Sequence, residues 1–341
     1  MPSSLSTLRV SIPRALCAAI ALLFVLAHPA AAQLSFKPTA ESVHEDQLLN
    51  ALKEGDKITG RISIPDAMAA NLIQPAGRDW RDFQRSKLPI IGGIAIIGML
   101  ALLAIFLLVR GRIRIHQGFS GTKILRFASF ERFTHWLTAS CFIVLALSGL
   151  NISFGRILIL PLFGAQAFAT LSAYAKLAHN YLAFPFMLGL LIMFLIWIKD
   201  NIPGKIDLQW LRQGGGLLSK GQYPPSKRFN AGQKGIFWIV IIGGALMSVS
   251  GWFELFPYLP ADVTALQFWT VIHAVIAMLF IAVMLAHIYI GSIGMEGAFD
   301  AMGTGEVHLN WAKEHHSLWV EEEQAKGQAP SGSAPRAVPA E

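Results

Sequence analysis

The chain has 341 residues, of which 54% are hydrophobic and only 14% are charged. This composition favours an integral membrane protein over an ordinary soluble domain. The net charge of +7 would by itself also suit a nucleic-acid-binding protein. The basic residues cluster beside long apolar stretches, however, which is the pattern of a membrane protein, and we expect no nucleic-acid partner.

The N terminus has the three parts of a secretory signal peptide, over residues 1–32. A basic start is followed by the short apolar stretch Ala15–Ala27 and by a run of alanines that fits a cleavage site. We predict cleavage; an uncleaved anchor is the alternative, although the stretch is short for a span. The mixed polar residues 33–87 are then expected on the periplasmic side, and they contain no recognisable site pattern.

Five later stretches are apolar and long enough to cross a bilayer as helices. The first contains no histidine and no charged residue, so it is interpreted as an anchor outside the functional core. The other four form the predicted core bundle. In chain order the stretches lie at about residues 88–109, 133–154, 175–198, 235–256 and 265–293.

The distribution of charge orients these spans in the membrane. Segments 110–132 and 199–234 are rich in Lys and Arg, whereas the predicted loop 155–172 has a single basic residue, Arg156. Because cytoplasmic loops carry an excess of basic residues, the two basic segments and the C terminus are predicted to be cytoplasmic. The last residues, 324–341, are rich in Pro, Gly, Ser and Ala and are predicted to be disordered.

The spans contain four histidines at two depths. Positions 273 and 287 on the last span differ by 14, so both imidazoles share one helix face and lie about 21 Å apart along the axis. Because the spans alternate in direction, His135 falls at the cytoplasmic depth of His287, and His179 falls at the external depth of His273. A single membrane histidine is often only a polar contact between helices, but two pairs suit two haems. The sequence has no Cys-x-x-Cys-His motif, so the haems would be b-type.

Five segments of this sequence resemble the cytochrome b (gamma) subunit of membrane-bound respiratory formate dehydrogenase. The resemblance covers roughly residues 120–323. The segments are ERFTHW, NIPGKIDLQWL, RFNAGQKGIFW, IHAVIAMLFIAVMLAHIYI and WAKEHHSLW.

The resemblance implies an all-α membrane protein. Its core would be a four-helix transmembrane di-haem cytochrome b bundle over residues 110–323. The one additional N-terminal transmembrane helix at residues 88–109, like the signal peptide and residues 33–87, is an addition to the compact family pattern. The resemblance implies two b haems with the axial ligand pairs His135–His287 and His179–His273. It also implies a quinone pocket beside the cytoplasmic haem, formed by Asn230, Gly232, Gln233 and His287. The alternative is that this segment is only the entry to a helix, with Asn230 as its N-cap and Lys234 as a basic anchor on the cytoplasmic side.

The resemblance also implies partners and a direction of electron flow. A catalytic alpha subunit would oxidise formate outside the bacterial inner membrane, and an iron–sulfur beta subunit would pass the electrons to the external haem. This chain would transfer them to the cytoplasmic haem and reduce menaquinone or ubiquinone there. It would not bind formate itself.

Two alternatives stay open at the level of sequence. One is a cytochrome b subunit of another respiratory complex, such as a nickel–iron hydrogenase or a thiosulfate reductase. The other is a haem-free membrane anchor or transporter. A transporter is expected to show an internal repeat with broken helices, and the sequence shows none.

Overall fold

The computed structural model describes residues 80–216, 223–260 and 262–327. The predicted signal peptide, residues 1–32, lies outside the described residues. So do most of the predicted periplasmic segment, 33–87, and most of the predicted disordered tail, 324–341. The described part of the chain is mainly helical.

Five long helices dominate the fold, and each is long and apolar enough to cross a membrane. Because the bilayer offers no water to backbone N–H and C=O groups, an apolar segment of this length satisfies them within a helix. The prediction of five spans in a helical membrane protein is confirmed. The helices are α1 Leu88–Arg110, α2 Ser129–Leu158, α3 Leu160–Trp197, α4 Lys205–Arg212, α5 Ala231–Leu255, α6 Val263–Tyr289, α7 Asp300–Gly303, α8 Leu309–His315 and α9 Ser317–Ala325, the five long ones being α1, α2, α3, α5 and α6.

The chain between α1 and α2 and the chain after α6 meet at one end of the bundle, which we call the sheet end. Strand β1, Lys123–Leu125, pairs antiparallel with β2, Glu306–His308, in a small sheet that the sequence did not predict. Helices α2 and α5 begin at this end, and α3 and α6 finish there. A buried core joins the sheet to the helices, and the rings of Phe127 and Trp197 lie 5.7 Å apart within it. The opposite end of the bundle is called the far end.

The prediction of a loop at residues 155–172, at the far end, is wrong. These residues are helical apart from a turn at Ile159 and a break at Gly164, where φ is 77° and ψ is 171°. The segment consists largely of Leu, Ile, Ala and Phe, which a helix accommodates, and it has no cluster of turn residues. Gly164 divides α3 into a short first part and a long helix, and the long helix still exceeds the length of about 20 residues that a span requires.

Candidate functional site

The four histidines of the membrane-crossing helices stand in two pairs. At the sheet end the ring centroids of His135 and His287 are 6.3 Å apart, and at the far end those of His179 and His273 are 6.2 Å apart. His135 belongs to α2 and His179 to α3, and α6 contributes one imidazole to each pair. The structure therefore brings together the histidines that were paired by their depth in the sequence.

The spacing within each pair fits a metal ion between two imidazoles. A metal–nitrogen bond to histidine is about 2 Å long and the nitrogen lies about 1 Å from the ring centroid, so rings sharing one metal have centroids about 6 Å apart. The observed separations of 6.3 and 6.2 Å match this value. Among the described residues no group of three or more His, Cys, Asp or Glu side chains could hold a bare ion. Two histidines per site therefore fit an iron whose other ligands come from a porphyrin.

Two serines orient the far-end histidines. Oγ of Ser148 lies 2.9 Å from Nδ1 of His179, and Oγ of Ser250 lies 2.9 Å from Nδ1 of His273. Each hydroxyl donates to the carbonyl four residues earlier on its own helix, at 2.6 and 2.7 Å. Each serine oxygen therefore accepts from a histidine Nδ1–H. This assignment, made from the hydrogen-bond network, leaves both Nε2 lone pairs available to a metal.

A glycine follows each of these serines and gives the imidazole room. A Cβ placed on Gly149 would lie 3.4 Å from Cε1 of His179, and one placed on Gly251 would lie 3.1 Å from Cε1 of His273. The space beside Gly149 is thus filled by a histidine ring. Helices α2 and α5 use the same Ser-Gly pair in the same way, with the hydroxyl holding the ring and the glycine allowing its close approach.

A cavity of about 390 Å³ surrounds the far-end pair, and both His179 and His273 line it. This volume lies in the usual range of ligand and cofactor sites. Its walls are largely apolar, with polar or charged additions from Lys176, Asn180 and Glu254. The ammonium and amide groups are hydrogen-bond donors that suit carboxylates such as haem propionates.

An apolar layer separates the two histidine pairs. The ring of Phe142 lies 5.0 Å from that of Phe280 and 6.5 Å from that of Phe186. Phe186 and Phe280 are buried, and all three rings line the cavity. The pairs are about 21 Å apart along α6, and these three rings make the region between them apolar.

The N-terminal helix, for which the sequence predicts an anchor outside the functional core, reaches the far-end cavity. Leu88 of α1 lines the cavity, together with Trp80 and Gln84 just before the helix. The buried residues of α1 are Leu88 and Gly92. The sequence did not reveal this contact, because it depends on the shapes of apolar side chains and not on a polar or charged pattern.

The residues predicted to bind quinone cap the N terminus of α5 at the sheet end. Oδ1 of Asn230 accepts from the backbone N–H of Gln233 at 2.9 Å, and Oε1 of Gln233 accepts from the backbone N–H of Asn230 at 3.1 Å. This capping box uses the amide oxygens and leaves both NH2 groups out of the cap. In the part of the chain that the structure describes, Asn230 and Gln233 are hydrogen-bonded to each other, and Gln233 also accepts from Arg126. Neither is hydrogen-bonded to His287.

Gly232 lies beside an aromatic ring of this chain. A Cβ on Gly232 would lie 3.1 Å from Cη2 of Trp210, and a Cβ on Gly215 would overlap the same ring. Helix α4, which carries Trp210, is held by a buried ion pair between Lys234 Nζ and Asp207 Oδ2 at 2.9 Å. The space predicted to admit a quinone ring is therefore bordered by an indole.

Two arginines tie the start of α2 to the loop before α5. Arg126 is buried, and its Nη2 donates to the carbonyl of Arg228 at 2.6 Å. Arg228 donates in return to the carbonyl of Arg126 at 3.0 Å and to the carboxylate of Glu131 at 2.8 Å. Burial lowers the pKa of Arg126 to about 9, with a further contribution from the nearby Arg228. Glu131 lies one helical turn before His135, so the clamp fixes the helix that carries this histidine.

Sequence reasoning missed Ser148, Ser250, Arg126 and Trp210. The available signal for the serines was the Ser-Gly pair, which occurs in both α2 and α5. A serine in a membrane helix is common, however, and only the packing identifies the two that face a histidine. Arg126 is one of several basic residues in segment 110–132, and nothing in the sequence distinguishes it from the others.

Comparison with known proteins agrees with this architecture. Residues 126–305 match the prokaryotic cytochrome b561 family. The chain is 32% identical over 203 residues to the cytochrome b556(fdo) subunit of formate dehydrogenase from Escherichia coli K12, covering 58% of this chain and 92% of the relative. It is 29% identical over 218 residues to the nitrate-inducible cytochrome b556(Fdn) subunit of the same strain, covering 61% and 97%.

A formate dehydrogenase cytochrome b556 subunit from Haemophilus influenzae is 24% identical over 208 residues, covering 59% of this chain and 84% of the relative. The relatives are therefore matched over most of their length, and the family match leaves α1 outside it. Membership implies haem b and a role in membrane electron transfer. The chain belongs to the prokaryotic cytochrome b561 family and is similar to the cytochrome b556 subunits of formate dehydrogenase.

Proposed function

We propose that this chain is the membrane cytochrome b subunit of a formate dehydrogenase, which carries electrons across the membrane and delivers them to quinone. The observation that carries the proposal is the presence of two histidine pairs, each at the centroid spacing of imidazoles that share a metal. When bound, b haems supply one-electron redox chemistry. The chain's own residues hold the two sites, orient their ligands and keep the space between them apolar.

The proposed iron ligands are the Nε2 atoms of the four histidines. At the far end, Ser148 and Ser250 fix the Nδ1–H tautomer and the ring orientation. Nδ1 of His135 at the sheet end is buried and has no protein hydrogen-bond partner within the described ranges. The two sites thus differ in the hydrogen bonding of their ligands, and such a difference sets their reduction potentials apart.

The proposed orientation places the sheet end in the cytoplasm. The segments 110–132 and 199–234 are basic. Their described residues, 110–132, 199–216 and 223–234, border the sheet end, which follows the positive-inside rule. Electrons would enter at the far end, in the periplasm, from an iron–sulfur subunit next to a formate-oxidising subunit. The support for these partners is that the relatives are named as subunits of formate dehydrogenase.

The proposed quinone site lies at the sheet end, at the cap of α5 with His287 close in depth. Reduction of a quinone adds two electrons and two protons, so its carbonyl oxygens require hydrogen-bond donors and access to water. The NH2 groups of Asn230 and Gln233 are donors that the cap does not use. The indole of Trp210 beside Gly232 offers a flat surface on which a quinone ring can stack. Proton uptake at this end would build a gradient across the membrane.

Asn230→Asp separates the donor role from the capping role. Aspartate caps a helix as well as asparagine does but has no NH2 group, whereas Asn230→Ala removes both functions. We expect Asn230→Asp to slow formate-to-quinone transfer while both haems stay bound and are reduced normally by formate. Steady-state quinone reduction and the optical reduction of the haems measure this. Normal turnover with unchanged inhibitor affinity in both variants would place the quinone elsewhere.

Replacing one histidine from each pair tests the assignment of the two sites. His179→Ala should remove the far-end haem and stop electron entry from the partner subunits. His287→Ala should remove the sheet-end haem, leaving the other reducible by formate while quinone reduction is lost. Low-temperature difference spectra separate the two components. Loss of the same component in both variants would contradict the pairing.

A reporter fusion tests the proposed orientation. A reporter enzyme that is active only in the periplasm, fused after residue 320, should be silent because the tail is expected in the cytoplasm. Fusion of the same reporter after residue 258, at the far end between α5 and α6, should be active and is the matched control. Activity of the fusion at residue 320 would contradict the proposed orientation.

A further inference from the structure

Helix α1 lies outside the matched family region, residues 126–305, and yet it borders the far-end cavity. Its buried residues are Leu88, which is 2% exposed, and Gly92. Most of its remaining surface is open, as the 72% exposure of Ile94 and the 85% exposure of Leu108 show. The close packing of α1 is therefore concentrated at the end that meets the cavity.

Gly92 seats α1 in the seam between α2 and α6. A Cβ placed on Gly92 would lie 2.9 Å from Cζ of Phe154 on α2 and 3.1 Å from Sδ of Met278 on α6. Met278 is 1% exposed and lines the same cavity as His273 on its helix. The glycine thus allows α1 to cover the seam closely, as small residues do where membrane helices touch. The next residue, Gly93, has no such neighbour within 4 Å.

The segment before α1 extends this contact with the cavity. Trp80 and Gln84 line the cavity, and Phe83–Lys87 forms a π-helical turn. Such distortions occur often at functional sites. The indole N–H of Trp80 and the amide of Gln84 are hydrogen-bond donors, so this segment adds polar groups beside the apolar contact of Leu88.

The other end of α1 is also fixed to α6. Ile113, just beyond α1, is 1% exposed and its N–H donates to the carbonyl of Gly294 at 2.8 Å. The carbonyl of Ile113 accepts from the N–H of Glu296 at 2.9 Å. Both ends of α1 therefore pack on the helix that carries His273 and His287 or on its continuation, which suits a permanent wall and not a movable lid.

We propose that α1 and the turn before it form a fifth wall of the far-end haem site. They close the seam between α2 and α6 against lipid, and they add the donor groups of Trp80 and Gln84 to the lining of the cavity. This inference rests on the proposed function, because it requires haem in the cavity. A closed apolar wall limits solvent access and lowers the local dielectric, and both properties govern how tightly a metal site holds its cofactor and at what potential it works.

The two adjacent glycines provide a matched test in the full protein with its partner subunits. In Gly92→Val the added side chain meets Phe154 and Met278 and pushes α1 off the seam, whereas in Gly93→Val it meets open space. Leu88→Ala removes an apolar side chain from the lining of the cavity without adding any atom that could clash. The measurements are the haem content per chain, by the pyridine haemochrome method, and the rate of haem transfer to apomyoglobin. They do not depend on enzyme activity.

We expect Gly92→Val to lose the far-end haem and so half of the haem content, and Leu88→Ala to release haem to apomyoglobin several-fold faster than the wild type. Gly93→Val should match the wild type in both measurements. If Gly92→Val does not accumulate in the membrane, the inference is tested by the haem content and haem transfer rate of Leu88→Ala. Haem content and transfer rates equal to those of Gly93→Val would overturn the inference. A wild-type protein without haem would instead overturn the proposed function.

Discussion

The hydrogen bond between Ser250 and His273 offers the most sensitive test of the far-end site. Ser250→Ala removes the acceptor of the histidine Nδ1–H, which lies 2.9 Å from the serine oxygen. A buried donor left without a partner costs about 1–3 kcal/mol. Loss of a residue that orients a metal ligand usually lowers metal affinity about 10–100-fold, which corresponds to about 1.4–2.8 kcal/mol. The two estimates agree.

A substitute acceptor for His273 places the expected effect at the lower end of this range. The carbonyl of Met247 lies 3.2 Å from Oγ of Ser250, near enough to receive part of the histidine hydrogen bond once the serine is gone. We therefore expect about a tenfold loss of haem affinity at the far end. The imidazole also becomes a weaker electron donor, which favours the reduced iron, so the potential should rise by a few tens of millivolts, within the ~59 mV that a tenfold effect allows.

Ser248→Ala is the matched control for this experiment. Ser248 is on the same helix, lines the same cavity and donates to the carbonyl of Gly244 at 2.7 Å. A redox titration monitored by absorbance, together with haem transfer to apomyoglobin, measures both effects. The reasoning is refuted if Ser250→Ala and Ser248→Ala have the same far-end potential and the same transfer rate.

Three further predictions concern the sheet end. Lys234→Met should leave the Asp207 carboxylate buried without its ion-pair partner, which typically costs about 3–5 kcal/mol of stability, and so release α4 from α5. Faster proteolysis of the segment after α3 would show this release, and an unchanged rate would contradict it. Burial, with a contribution from Arg126, lowers the pKa of His315 to about 4 and that of His316 well below its usual value. Because the unfolded chain binds these protons at higher pH than the folded one, the packing of α8 and α9 should weaken as pH falls from about 6.5 toward 4. Tryptophan fluorescence would detect it, and a pH-independent signal would refute the burial argument. Trp210→Ala should raise the KM for quinone with both haems retained, and an unchanged KM would remove the indole from the site.

The sequence was informative where one physical rule dominates. In a bilayer only helices satisfy every backbone group within a single span, so apolar length located all five helices. The helical period and the alternation of spans then predicted which histidines meet, and the observed pairs agree with that geometry. The Asn230 cap was foreseeable for a similar reason, since an Asn three residues before a Gln is a local signal.

The sequence failed where the outcome depends on side-chain shape in the assembled bundle. Gly92 and Gly93 are chemically identical neighbours, and only the packing shows that one faces Phe154 and Met278 while the other faces open space. The role of Ser250 likewise depends on which face of α5 meets His273. The sequence predicts a loop over residues 155–172 because a span is expected to end at membrane length. Pro161 and Gly164 only interrupt the helical path locally, at a turn and a break, and the apolar residues around them continue it.

The central claim is that two b haems are held by two histidine pairs. The most direct test is the haem content per chain of the purified complex, measured as the pyridine haemochrome against the concentration of this subunit. We expect two b haems per chain in the wild type and one in His273→Ala. A wild-type value of none or one would contradict it.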